Sequence, residues 1–566
     1  MGFRRWSRNV WTAKLRHHDH SNEYVFPWSF ECSLEVLTHR TNIPAVVTTA
    51  IKSGHWSQWV GIFGLVLLFA ALRWNNYAAP LGRDEGEYAY SAQLLIQGIA
   101  PYDHAYIQKP PGVVYSYALA DLLFPRVFWS PHLLAAAFVA LTTVLLGFIA
   151  RLEFGEGYAL PVMWLATPMI LLPGLDLVDA NVEVFMLLPM VATVAMYCYS
   201  RQHGNKDKHW FWAGFLAAAT LLYKYTALPI LGFVFLAWLF ERWRQGTKAN
   251  LMVRALACAI AGGILAAVLE LAFFLIHDGG RTFWECTVVF NRYYVGTSNF
   301  ALSYFWMKCG DFWRNWWILF LIPWLVLLQP RPRLWFWVGI FICSILATNA
   351  SCYTHYYAVI MPFWALLTAM GIRALASRIS KGRGQRWSWV GGLITAAVLA
   401  LVIYPDVRWM RCTSQQFAVE KSYELPNIEA RLIAGLVSQM STPNDFVFVA
   451  GSEPEILSYS QRFSPTRFIT SYPLMIPTPL AAGYQHEAIN ELLQFPPKLI
   501  VFGQSGYGWL RQPKTPPDFI NFMGRFLRNY KLVGGYAKSD AFNGYWSTNL
   551  SVGEYRSASL LLYERK

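Results

Sequence analysis

Long apolar runs, separated by polar and charge-bearing loops, dominate the first four hundred residues of this chain. Eleven such runs stand at 56–72, 132–150, 160–175, 182–199, 210–222, 226–240, 251–276, 316–328, 334–346, 356–372 and 389–404. A bilayer-spanning helix needs about 20 apolar residues, within a range of roughly 17 to 25, so the runs beginning at 210, 226, 316 and 334 are short for the task. The pattern predicts a polytopic α-helical membrane protein with about 11 transmembrane helices. Between the first two runs lies a long loop, 74–130, whose apolar middle, 113–124, stops at Pro125 and reads as an interfacial or re-entrant helix. A second long loop, 277–314, is rich in aromatic residues.

From residue 405 the pattern changes. Strand-like runs at 446–450, 467–470, 499–502, 532–536 and 560–563 alternate with helix-like stretches at 428–440 and 454–460. Residues 405–566 are enough for one soluble α/β domain. It carries no phosphate loop, triad signature or metal motif, so no part in catalysis is expected of it. Residues 1–55 are polar, lack the pattern of a secretory signal peptide, and read as a disordered cytoplasmic leader. His17, His18 and His20 in that leader form a solvated cluster rather than a metal site.

Composition agrees with the membrane reading, since only 14% of residues are charged and 55% are hydrophobic, against about 25% charged in soluble domains. The net charge of +14 would suggest nucleic acid in a soluble protein, but its distribution excludes that partner here. Cations collect in alternate loops: Arg4, Arg5, Arg8, Lys14 and Arg16, then Arg201, Lys206 and Lys208, then Arg242, Arg244 and Lys248, then Arg331 and Arg333, then Arg378, Lys381, Arg383 and Arg386. Positively charged loops stay on the cytoplasmic side, which puts loop 74–130 and the C-terminal domain outside the cytoplasmic membrane, on its periplasmic or extracellular face. The eight cysteines form no CxxC pair, which argues against structural zinc; Cys286 and Cys309 share one outer loop and have a disulfide open to them.

Five polar segments fall on that outer side. Asp84, Glu85, Gly86 and Glu87 follow the first run, and the simple reading is a helix cap at Asp84 with Glu87 three residues on. On a helix Asp84, Glu87 and Tyr88 share one face and Glu85 points elsewhere. Lys109 precedes two prolines and a glycine, so it is presented from a stiff turn suited to a phosphate. Asp176, Asp179, Asn181 and Glu183 crowd one short loop, where solvated polarity and a helix cap at Asp179 or Asn181 are the plain alternatives. Lys224 stands between Tyr223 and Tyr225, and His355, Tyr356 and Tyr357 open the tenth run; a snorkelling lysine and an aromatic belt are the plain readings of these two. Carboxylates and separated cations facing one compartment at headgroup depth suit a reaction between a lipid-linked phosphate donor and an acceptor from outside.

The ordered set Asp84-Glu85-Gly86-Glu87-Tyr88-Ala89, Lys109-Pro110-Pro111, Ala180-Asn181-Val182-Glu183 and His355-Tyr356-Tyr357 with Pro362 resembles the family 39 glycosyltransferases of the GT-C superfamily. The likeness is to the bacterial branch holding lipid A aminoarabinose and galacturonosyl transferases, with protein O-mannosyltransferases further off, and it covers residues 56–404 as the catalytic domain. It implies a polyprenyl-phosphate-linked sugar donor, a glycan, lipid or protein acceptor at the membrane, and inversion at the anomeric carbon. By the same resemblance Asp84 is the catalytic carboxylate with Glu87 beside it, and Lys109 and Lys224 stabilise the departing phosphate. Glu85, Tyr88, Asp179, Asn181 and Glu183 then bind sugar or acceptor, and His355, Tyr356 and Tyr357 the lipid phosphate or its first isoprenes. Gln108 stands where aminoarabinose transferases carry a glutamate, which leaves the sugar open. No tightly bound metal or other cofactor is expected, although the acidic motif leaves a loosely held divalent cation possible. A transporter or flippase of lipid-linked saccharide is the competing reading, and it requires ionisable groups deep within the spans, where Glu270 is the main exception to an uncharged interior.

Overall fold

A computed structural model describes residues 56–125, 127–277, 279–297, 302–328, 333–348, 353–380, 389–422, 426–538 and 544–566. The leader 1–55 lies outside the described residues, as does the side chain of Cys309. Each of the eleven apolar runs falls on helix, because continuous apolar sequence in lipid must satisfy its own backbone. Among the described residues five helices are long and apolar enough to cross a membrane: Ser130–Phe154, Val182–Gln202, Tyr225–Arg244, Ala249–Ile276 and Trp389–Arg411. Gln58–Arg73, Gly112–Leu123, Phe312–Leu328 and Leu334–Ala347 are apolar but shorter. The run at 226–240 looked short, yet its helix reaches Arg244 by carrying charged residues in its last turn. On Ala249–Ile276 the side chains of Val253, Ile260, Ile264 and Val268 face outward, the exposure expected of a surface solvated by lipid.

The loop 74–130 folds into the helices Arg83–Ile96, Pro101–His104 and Gly112–Leu123. Its apolar middle is helical as the sequence suggests, starting directly after Pro110 and Pro111. The second loop contains a π-helical turn, Glu285–Val289, that runs on into the helix Phe290–Thr297. Cys286 within it is a buried free thiol, so the disulfide left open above is not formed.

The C-terminal domain holds a five-stranded sheet, β1 (Val447–Ala450), β2 (Leu499–Gly503), β3 (Tyr530–Lys538), β4 (Gly544–Ser547) and β5 (Leu560–Arg565), ordered β1-β2-β5-β3-β4. β1 and β2 run parallel, and the remaining neighbours are antiparallel. Four of the five strand-like runs become strands. The fifth, 467–470, does not: the carbonyl of Arg467 accepts the Tyr106 N–H at 2.6 Å, so this segment bonds to the first outer loop instead of to a ladder. β4, a short half-exposed strand with a tryptophan and a tyrosine, was not anticipated.

This domain is seated directly on the first outer loop, and both belong to one body, Gln58–Lys566. The helix Glu455–Ser460 lies so close to Arg83–Ile96 that a side-chain carbon on Gly86 would stand 2.4 Å from the Glu455 backbone nitrogen. Polar ties finish the contact. Arg83 Nε donates to the Ser452 carbonyl at 3.2 Å, the Leu81 N–H to the Tyr459 hydroxyl at 2.7 Å, and the Ser464 N–H to the Tyr90 hydroxyl at 3.0 Å.

Candidate active site

The helix Arg83–Ile96 begins two residues earlier than a cap at Asp84 would place it. Gly82 is its N-cap, and Glu85, at the third helical position, reaches back to accept the Gly82 N–H at 2.8 Å. The other Glu85 oxygen accepts the Ala180 N–H at 2.8 Å and lies 2.9 Å from His132 Nε2. Burial disfavours ionisation of Glu85, but His132 and the two backbone amides outweigh it and hold the carboxyl below its usual range. Glu85 therefore fastens the start of the helix to the short loop that holds Ala180 and to Ser130–Phe154, and it sits behind the site surface with both oxygens engaged.

Moving the cap releases the two acids that the sequence assigned to it. Asp84 is half-buried and makes no hydrogen bond or ion pair among the described residues. Glu87, one turn on, is buried, and its Oε1 has no partner among them. Burial and the neighbouring Asp84 push its carboxyl up to about 8, against the pull of Lys109, Arg83 and the Tyr472 hydroxyl. Tyr88 shares their face, as the helical spacing requires, and stands edge-on to Tyr117 at 5.6 Å. The Tyr117 hydroxyl in turn donates to the Ala180 carbonyl at 2.9 Å.

The turn that carries Lys109 is held by its backbone at four points. The Tyr102 hydroxyl donates to its carbonyl at 2.8 Å, and Asn291 Nδ2 donates to the Gln108 carbonyl at 2.8 Å. The Gly112 N–H donates to the Leu222 carbonyl at 2.8 Å, and Tyr106 is tied to Arg467 as described. Gly112 is needed at this crossing, because a side-chain carbon there would meet the same Leu222 oxygen at 2.8 Å. Burial works against the Lys109 ammonium, but Tyr356, Asp84, Glu183 and Glu87 outweigh it and raise the group above its ordinary value, so it stays charged.

Glu183, in the first turn of Val182–Gln202, accepts a hydrogen bond from Lys224 Nζ, and His355 Nε2 lies 4.0 Å from the same oxygen. The Lys224 ammonium sits over the Tyr356 ring, 3.2 Å from its centroid. Asn181 is the buried N-cap residue of that helix, without a side-chain cap bond. The structure thus brings Asp84, Glu87, Lys109, Glu183, Lys224, His355 and Tyr356 together, from five separate stretches of sequence. Besides Glu85, two predicted residues stand apart from this group. Asp179 faces Arg73 and Tyr117 on the Glu85 side, and Tyr357 packs against Phe312 with ring centroids 4.9 Å apart.

Several residues of the site were not singled out from sequence. Tyr472, from the domain expected to be uninvolved, is buried beside Glu87. Tyr294 and Tyr353 share a hydrogen bond and face Asp84 and Tyr356 from two different loops. Arg467 is 6% exposed; its guanidinium meets Glu487 at 2.7 and 2.9 Å and Glu285 at 2.9 Å, and it stacks near Tyr106, Phe468 and Tyr484. The one sequence signal for it was an arginine opening an otherwise strand-like run. Among the described residues no group of three or more histidine, cysteine, aspartate or glutamate side chains is arranged to hold a metal ion.

Neither a scan against protein-family models nor a search of the curated proteins returns a match to this sequence. Solved structures do match. ArnT from Cupriavidus metallidurans bound to undecaprenyl phosphate superposes with a TM-score of 0.53 at 16% identity, covering 88% of this chain and 99% of that one. The same protein in its apo state gives 0.53 at 14% identity, covering 90% and 98%. An Archaeoglobus fulgidus oligosaccharyltransferase tethered to an acceptor peptide gives 0.48 at 13% identity, over 88% and 75%. The likeness to ArnT runs through the helical bundle and the C-terminal domain alike, and this chain has the GT-C fold.

Proposed function

We propose that the protein is a membrane glycosyltransferase that moves a sugar from a polyprenyl-phosphate donor to an acceptor on the extracytoplasmic face of a bacterial cytoplasmic membrane. The observation that carries the reading is the meeting of Asp84, a carboxylate with no hydrogen bond or ion pair among the described residues, and two lysines, Lys109 and Lys224, in a fold whose neighbour ArnT is seen bound to undecaprenyl phosphate. In this reading Asp84 accepts the proton of an acceptor hydroxyl as its oxygen attacks the anomeric carbon from the face opposite the phosphate, so the configuration inverts. The bond from that carbon to the phosphate oxygen breaks, and Lys109 and Lys224 stabilise the charge left on the lipid phosphate. Where the acceptor is already an ionised phosphate, Asp84 orients it instead. Glu87, protonated at neutral pH, spares the departing phosphate a second negative neighbour.

Two fixed ammonium groups supply the countercharge that another enzyme would take from a metal, and the reading therefore includes no tightly bound cofactor. Tyr88, Asn181 and Glu183 are assigned to sugar or acceptor, with His355 and Tyr356 assigned to the lipid phosphate. The acceptor is a lipid A or lipopolysaccharide group, an envelope glycan or a protein. Transport without transfer is disfavoured by where the charges sit: among the described residues the charge pairs of the bundle gather at its two ends, and Glu270, which has an unpartnered buried oxygen, lies within two turns of the end of Ala249–Ile276 beside Tyr115. Lipid-linked sugars are to be profiled in cells carrying Asp84→Asn. Accumulation of a polyprenyl-phosphate sugar together with loss of one glycoconjugate is expected; unchanged lipids and glycans would sink the proposal.

A further inference from the structure

At the end of the bundle away from Asp84, a cavity of about 270 Å³ is lined by Arg201, Asn205, Trp238, Glu241, Arg242 and Gln245. Its acceptors are already used. Glu241 takes Arg333 on one oxygen and Arg201 and Tyr197 on the other. Asn205 Oδ1 accepts from the Ser200 hydroxyl at 3.2 Å, and Gln245 Oε1 accepts from Arg242 Nη1 at 2.9 Å, which leaves both amide NH₂ groups to donate elsewhere. Trp238 is 2% exposed, and its indole N–H has no acceptor among the described residues. An unpaired buried donor is costly, so the arrangement favours a ligand that only accepts.

Charge points the same way. Glu153 and Glu241 neutralise Arg201 and Arg333, and Arg242 remains as a surplus cation. Arg201 stands on the same helix as Glu183, roughly 27 Å further along at about 1.5 Å per residue, so the cavity lies at headgroup depth in the other leaflet. The anion concentrated at that depth is phosphate, and basic pockets between helices are suited to it. No carboxylate oxygen is left for an ammonium, which separates an anionic headgroup from an aminophospholipid. We propose that this cavity binds the phosphate of an anionic phospholipid headgroup in the leaflet opposite the Asp84 site. The inference is independent of the reaction proposed above.

The test uses the full chain in bilayer nanodiscs of phosphatidylethanolamine, with and without phosphatidylglycerol, and in detergent with inorganic phosphate. The measurement is the change in thermal unfolding midpoint within each variant, so a lowered baseline does not confuse it. Phosphatidylglycerol is expected to raise the midpoint by about 2 °C or more, and Arg242→Gln to abolish most of that gain. Gln245→Leu, which removes a donor without altering charge, is expected to reduce it, and it carries the test if Arg242→Gln does not fold. Arg244→Gln, removing an exposed neighbouring cation outside the lining, keeps the gain. Loss in Arg244→Gln equal to that in Arg242→Gln would reduce the effect to surface charge and overturn the site. Absence of any gain from phosphatidylglycerol overturns it as well. An Arg242-dependent gain from inorganic phosphate that phosphatidylglycerol fails to reproduce would overturn the lipid as its source.

Discussion

At one end of the helix bundle Glu153, Glu241, Arg201 and Arg333 close into a ring in which all four carboxylate oxygens receive a donor, Arg333 and Tyr197 completing it at 2.8 Å. At the other end the same kinds of side chain are left partly open. Glu183 is paired and Glu85 saturated, while among the described residues Asp84 and one oxygen of Glu87 make no hydrogen bond or ion pair and Lys109 is held by its backbone. Burial of charge is tolerated in both places, but only the ring compensates it internally, which is what a structural clamp requires. The open end keeps its charge available for something that is not protein, and that is the physical mark of a site.

Substitutions at the two ends should therefore fail in opposite ways. Asp84→Asn is expected to lower sugar transfer roughly 10³-fold with the unfolding midpoint little changed, because Asp84 makes no hydrogen bond or ion pair among the described residues. Lys109→Met is expected to cost about 10²-fold in turnover, read with a defined lipid-linked donor in detergent. Arg333→Gln leaves Glu153 and Glu241 each with one oxygen unpaired and only Arg201 between them, and should reduce stability by about 3 kcal/mol, while turnover per folded molecule stays at the wild-type level. If Asp84→Asn unfolds the protein as readily as Arg333→Gln does, the distinction between the two ends is wrong.

How much of this was legible in the sequence follows from the range of the interactions. The eleven helical runs, the first outer loop and four strands are local patterns of period and length, and they appear where the sequence puts them. The convergence of Asp84, Lys109, Glu183, Lys224 and His355 was visible only through the side of the membrane they share and the family pattern they match. Tyr472 and Arg467 were not visible. Their roles depend on a domain whose first strand begins some 360 residues after Asp84 being seated on the first outer loop, and nothing in 467–470 distinguishes a strand from a segment whose backbone is taken by Tyr106. The cap at Asp84 was misplaced for a related reason: glycine at 82 offers no side chain to read, and Glu85 was free to cap from within the helix.

A milder contrast lies within the open end itself, between Asp84 and Glu87. The Glu87 carboxyl titrates at about 8 in the folded protein, against about 4.3 in an unfolded chain. Between those values the folded state holds a proton that the unfolded state has lost, so stability falls as pH rises through that window and is fully present below it. Above pH 8 the folded protein gains a second negative charge beside Asp84, where the donor phosphate must leave, and transfer should decline. Glu87→Gln is expected to flatten both profiles, leaving near-wild-type activity at pH 6.5 to 7 and higher activity than wild type at about pH 9. A decline above pH 8 that survives this substitution would place the titrating group elsewhere.

The smallest expected effect concerns how the C-terminal domain holds Lys109 in place. Arg467 joins Glu487 and Glu285 through its side chain, but its hydrogen bond to loop 74–130 is the main-chain bond to Tyr106, which any residue at 467 can accept. Arg467→Lys removes the planar fork while retaining the charge, so one carboxylate is held and the other is released. Loss of one such bond is worth about 1 kcal/mol, which limits the fall in turnover to under about 10-fold. Because loop 277–314, which holds Glu285, also brings Asn291 to the Gln108 carbonyl, the loss should appear as a raised KM for the lipid-linked donor with kcat little altered. A fall in kcat alone would mean that Arg467 acts on the Glu87 and Tyr472 side of the site, and the domain would then be shaping the acid face at Asp84 instead of the phosphate-binding turn.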